Sequence, residues 1–125
     1  MLSKATIIPT VPASDFDRAK HFYEDKLGLL PKADVPEMPD GIIYAVGQGG
    51  LLVYHTDAPH GENTAAGFLV DDILSEMTEL RDKGISFEDF DLPGLKTENG
   101  IADLNGQKGA WFKDSEGNYL ALTQM

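Results

Sequence analysis

Imidazoles and a carboxylate fall close together in the segment HTDAPHGE, which runs from His55 to Glu62. Such groups can hold a divalent cation, and a neutral imidazole, whose ordinary pKa of about 6.5 lies near neutrality, can carry a proton. Two chemistries follow: an unconventional metal site at His55 and His60, or acid–base work by His55 at the rim of a ligand site. The segment runs off the end of a strand-like stretch into Pro and Gly, so no regular element fixes the geometry, and solvated loop histidines are the default reading. Other candidates are weaker. His21 falls on a helix surface, Glu88 and Asp89 read as solvated charges, and Ser115 has no triad context. The chain has no Gly-rich phosphate loop and no cysteine, which removes disulfides, thiolate ligands and a Cys nucleophile. No catalytic residue is assigned, and no metal or cofactor is expected.

The elements that must position these residues come in two similar halves. In the first, the apolar segment Ala5 to Val11 leads to Ser14-Asp15 and then to Phe16, Ala19, Phe22, Tyr23 and Leu27, the spacing of one apolar helix face. Ser14 or Asp15 is the expected N-cap, and Gly28 the stop. The second half repeats the plan: Ala65 to Val70, Asp71-Asp72, then Ile73, Met77 and Leu80, ending at Gly84. Short strands are expected at Gly41 to Val46, Leu51 to His55, Ile85 to Phe90, Ala110 to Lys113 and Asn118 to Thr123. A weaker one lies near Leu29 to Val35, where prolines intrude. Leu30 to Gly41 and Asp91 to Gly109 read as loops, and Asp57 to Asn63 as a linker. This is one domain of two modules, about 4–57 and 64–125.

A chain of 125 residues supports one buried core. No apolar run reaches the length of a membrane span, and residues 1–10 lack the pattern of a signal peptide. A soluble, cytoplasmic protein is expected, with no membrane contact. The net charge of −11 repels nucleic acid and anionic surfaces, and it suits neutral or cationic small ligands better.

Three stretches carry a resemblance: SDFDRAKHFYEDKLGL (Ser14 to Leu29), GFLVDDILSEMTELRDKGISF (Gly67 to Phe87) and AWFKDSEGNYLAL (Ala110 to Leu122). Together, in that order and over nearly the whole chain, they resemble the vicinal oxygen chelate superfamily of glyoxalases, bleomycin resistance proteins and extradiol dioxygenases. The resemblance implies an α+β fold in which paired βαβββ modules form a cup-shaped, curved mixed sheet. Metalloenzymes of that superfamily ligate a cation with His, Gln or Glu from the first and last strand of each module. Carried over by spacing from the capping aspartates and the hairpin glycines, those positions are Ile8, Ala65, Val53 and Ala121. None offers a lone pair, and each would surround a cation with hydrocarbon. The resemblance therefore points to a metal-less member.

What remains is a cup lined, by strand alternation, by Ile8, Leu51, Val53, His55, Ala65, Tyr119 and Ala121. Trp111 is preferred to Phe112 as a further inward residue. This predicts a binding protein that sequesters an aromatic or cationic organic molecule in an apolar cup, and a homodimer, because open sheet edges need partners. The alternatives are a glyoxalase-like lyase or isomerase that uses His55 or the unconventional metal site, and a filled cup whose role lies in a partner contact.

Overall fold

A computed structural model describes residues 1–33, 35–36 and 38–125. Asp34, within the short strand expected near Leu29 to Val35, and Glu37, within the expected loop, lie outside the described residues. After a 3-10 turn at Leu2–Lys4, the first module consists of β1 (Thr10–Ala13), α1 (Phe16–His21), a π-turn (Phe22–Lys26), β2 (Leu30–Pro31), β3 (Gly41–Val46) and β4 (Gly49–His55). The second has β5 (Thr64–Leu69), α2 (Ile73–Asp82), β6 (Asp91–Leu92), β7 (Leu95–Lys96), β8 (Ala102–Leu104), β9 (Gln107–Lys113) and β10 (Tyr119–Gln124).

Two four-stranded mixed sheets, ordered β1-β4-β3-β2 and β5-β10-β9-β8, make this an α+β fold. Their inner edge strands, β1 and β5, approach each other. Each helix starts where an aspartate can satisfy the first free amides. Asp15 accepts from the Arg18 amide at 3.0 Å, and Asp72 from the Ser75 amide at 3.2 Å. No helix among the described residues is long and apolar enough to cross a membrane.

The core lies between the helices and one face of each sheet. On the first sheet that face carries Val11, Ala13, Tyr44, Leu51 and Val53, packed with Ala19, Phe22 and Tyr23 of the helical segment. Tyr23 stacks on Tyr44 at 5.9 Å. On the second sheet it carries Ala110, Phe112, Leu120 and Leu122, packed with Ile73 and Met77. The opposite faces of both sheets are the ones a cup would present.

Three expectations shift. The first strand begins at Thr10, not Ala5. Ile85 to Phe90 forms no strand, and meets β9 through an isolated bridge between Phe87 and Phe112. The expected loop from Asp91 to Gly109 is structured: it holds the β6–β7 hairpin, β8 and the start of β9.

Candidate functional site

The hairpin between β9 and β10 brings the aromatic residues of the second module onto the face away from the helices. Trp111 pairs with Ala121, and Phe112 with Leu120. Since alternate residues face opposite ways, burial of Phe112 and Leu120 in the core directs Trp111, Ala121 and Tyr119 to the other face. The indole donates from Nε1 to the Thr64 hydroxyl at 3.2 Å, and its six-membered ring lies against Gly109. It therefore reaches across β10, and the methyl group of Ala121 leaves it room. A longer side chain at 121 would compete for the same space.

A cavity of 710 Å³ opens beside this indole. Trp111, Tyr119, Lys113 and Gly117 form its floor, and His60, Glu62, Asn63 and Thr64 one wall. Phe90, Leu92 and Leu95 form the other wall, with the Phe90 ring edge-on to Trp111 at 5.7 Å. Leu92 and Leu95 stand on the β6–β7 hairpin, which turns at Pro93-Gly94 with Gly94 at φ +80°, a conformation glycine adopts without strain. Lys113 Nζ sits 5.1 Å from the centre of the Tyr119 ring and 3.8 Å from Glu88. The lining thus combines aromatic faces, aliphatic side chains and a few polar groups, the make-up of a small-molecule site.

The hairpin is held by buried polar groups. Asp114 accepts from Tyr23 Oη at 2.5 Å, from Asn118 Nδ2 at 2.8 Å, and from the amides of Glu116 and Asn118. Asn118 also donates to the Pro12 carbonyl, which ties the second sheet to β1. Burial pushes the Tyr23 hydroxyl well above its ordinary range, and the Asp114 charge adds to this. Glu116 accepts from Ser14, the Asp15 amide and Arg18, clamping the hairpin to the start of α1. Burial raises its carboxyl pKa, but the hydrogen bonds from Arg18, the Asp15 amide and Ser115, with the Arg18 charge, outweigh that and hold it at about 2.

The residues expected from the sequence divide by face. Trp111 and Tyr119 line the cavity. Ala121 lies on the same sheet face, 8% exposed and opposite Trp111. Ala65 is exposed and is the extra residue of a bulge, since Tyr119 pairs with Thr64 but Leu120 with Ala66. Ile8 is half-buried, ahead of β1. Leu51 and Val53 do not belong to a cup. Both are core residues on the helix side, 2% and 1% exposed. His55 follows their alternation, exposed at the end of β4 and 3.8 Å from Asp57, and is not in the cavity lining. The cause is register. The β3–β4 turn has two residues, with Val46 paired to Gly49, whereas Lys113 pairs with Tyr119 across five, so glycines of the two hairpins are not equivalent. The parallel pairing corrects the position: Leu52 faces Thr10 as Ala121 faces Gly67, and Thr10 and Gly67 stand equally far ahead of their capping aspartates.

With that correction, the positions that the resemblance implies for a cup metal carry Ile8, Leu52, Ala65 and Ala121, whose hydrocarbon side chains do not fit one. Among the described residues, no three His, Asp or Glu side chains gather in a metal-binding group elsewhere, His55 and His60 included. Phe90, Leu92, Leu95, Asn63 and Thr64 were not expected at a site. The Leu-Pro-Gly-Leu string was the available signal, since Pro then Gly between apolar residues marks a tight turn.

Residues 7–122 match the family model of the Glyoxalase/Bleomycin resistance protein/Dioxygenase superfamily. Among solved structures, the chain is similar to TnmS3, an antibiotic binding protein from Streptomyces sp. CB03234, with TM-score 0.73 and 22% identity over 99% of this chain and 98% of that one. It is also similar to a lactoylglutathione lyase from Agrobacterium tumefaciens, with TM-score 0.71 and 20% identity over 97% and 93%. A third is the oxidase ChaP-H2, with TM-score 0.70 and 22% identity over 96% and 92%. These likenesses establish the fold alone, and the roles that the three names state differ. No curated protein matches the sequence.

Proposed function

The chain belongs to the Glyoxalase/Bleomycin resistance protein/Dioxygenase superfamily, and from that premise we propose that it is a metal-independent binding protein that sequesters an aromatic, preferably cationic, organic molecule beside Trp111. The observation that carries this reading is the 710 Å³ cavity with the Trp111 indole on its floor and Phe90 at its side. Exposed ring faces bind planar ligands by stacking and bind cations through the ring quadrupole. Within the lining, Lys113 is matched by Glu88, which leaves Glu62 as the carboxylate available to a positive ligand. The overall charge of −11 acts in the same direction. With hydrocarbon at all four cup-metal positions, nothing there would polarise a carbonyl, and retention without chemistry is the simpler role.

We further propose that two copies associate, because β2 and β8 leave the outer edges of both sheets unpaired among the described residues. The binding test uses the single tryptophan as reporter. Proflavine, a planar aromatic cation, should quench Trp111 saturably, and 2-anthracenesulfonate, an aromatic anion, should bind more weakly. Failure of both compounds to quench would overturn the binding reading. Equal binding would remove the preference for cations.

A further inference from the structure

His60 borders two separate spaces. It lines the 710 Å³ cavity beside Trp111, and also a cleft of 240 Å³ bounded by Pro12, Ser14, Asp57, Pro59 and Glu116, where the second hairpin meets the first module. It is the one residue common to both linings among the described residues. Its ring is held in place, with Nδ1 bonded to the Gly61 carbonyl at 2.9 Å. Beneath it lies Gly117, where a Cβ would stand 2.6 Å from Nε2, so that a side chain there would push the imidazole aside. The φ of +88° at Gly117 favours glycine, and the absence of a side chain there leaves the imidazole room to rest where it does. His60 is nonetheless exposed. Burial in a core does not account for where the ring sits; its position puts it between the two spaces.

We propose that His60 is a specificity-determining residue that sets the length of the ligand site. The inference rests on the ligand-binding reading of the Trp111 cavity and adds to it. With the imidazole in place, an aryl group beside Trp111 has no path into the junction cleft, and any long substituent must run out into solvent. With the imidazole gone, cavity and cleft become one elongated site, whose far part is lined by Pro12, Ala58 and Pro59 together with the polar Ser14, Asp57 and Glu116. The wild-type site therefore selects compact aryl ligands by withholding contact from long ones.

The test compares 4-nitroanisole with hexyl 4-nitrophenyl ether, two neutral quenchers of Trp111 that share a ring and differ in chain length. His60→Ala should raise the preference for the hexyl ether over the anisole by about tenfold, the effect of shielding about two methylenes. Gly117→Ala, whose new methyl group displaces the ring, should favour the hexyl ether in the same selective way, although the fold is less stable. Thermal melts of both variants establish that they are folded at the assay temperature. If the anisole quenches but His60→Ala leaves the hexyl ether unchanged, or shifts both ethers equally, the partition is refuted while the cavity stands. If neither ether quenches in wild type or variant while proflavine does, the partition is refuted and the cavity stands; if proflavine also fails to quench, the cavity reading fails and the partition with it.

Discussion

Replacing Glu116 with glutamine should destabilise the fold by about 1–3 kcal/mol at neutral pH, and by much less in acid. The carboxylate is 2% exposed and accepts from Arg18 Nε at 2.7 Å, Arg18 Nη2 at 3.1 Å, the Asp15 amide at 2.8 Å and the Ser14 hydroxyl at 3.2 Å. Its pKa falls from 4.5 to about 2, a displacement worth at most about 3 kcal/mol. Arg18 is 54% exposed, so solvent screens its half of the pair, and the lower bound of about 1 kcal/mol allows for that. Because the folded-state pKa is depressed, the contribution is fully present above 4.5 and is lost as pH falls toward 2. Urea unfolding of wild type and Glu116→Gln, at neutral pH and at about pH 3, should show the gap shrinking to under about half in acid. A gap of equal size at both pH values would refute the reasoning, since it would come from shape and not from charge. The absence of any gap at neutral pH would show that the clamp between the hairpin and α1 contributes nothing.

Other expectations follow from the same contacts. Trp111→Ala should weaken proflavine binding by about 1–3 kcal/mol with little loss of stability, while Phe112→Ala on the neighbouring core position should destabilise by about 3–5 kcal/mol in urea unfolding. Val53→Ala should lower stability by about 1–3 kcal/mol, and Leu52→Ala by clearly less, a contrast that reports which of the two faces the core. Sedimentation at micromolar concentration should give twice the single-chain mass of 13.6 kDa, and a lone single-chain species would count against the dimer.

Much of the fold was legible because its signals are local. Asp15 and Asp72 cap helices as their sequence context suggests, and β3 spans Gly41–Val46 as expected. The site was harder to read because it depends on register. Counting from Gly49 as though it matched Gly117 places Val53 in the cup, but the shorter β3–β4 turn reverses the alternation and puts Leu51 and Val53 in the core. No local signal marks the bulge at Ala65, which is visible only in the pairing of β5 with β10. The sequence supports only a preference for Trp111 over Phe112, because the parity of the hairpin becomes visible with Phe112 and Leu120 buried in the core. Of the wall formed by Phe90, Leu92 and Leu95, the two leucines were hidden in a stretch that reads as loop, since the short β6–β7 hairpin shows little alternation.

The central claim is that the Trp111 cavity binds its ligand without a metal. Calorimetric titration of chelator-treated protein with proflavine tests it most directly. The account predicts saturable binding, one ligand per Trp111 cavity, with an affinity unchanged when nickel or zinc is added back. Binding lost on chelation and restored by a divalent metal would contradict it, as a metal held at a hundredfold excess over its Kd would also add about 2.7 kcal/mol of stability for chelation to remove.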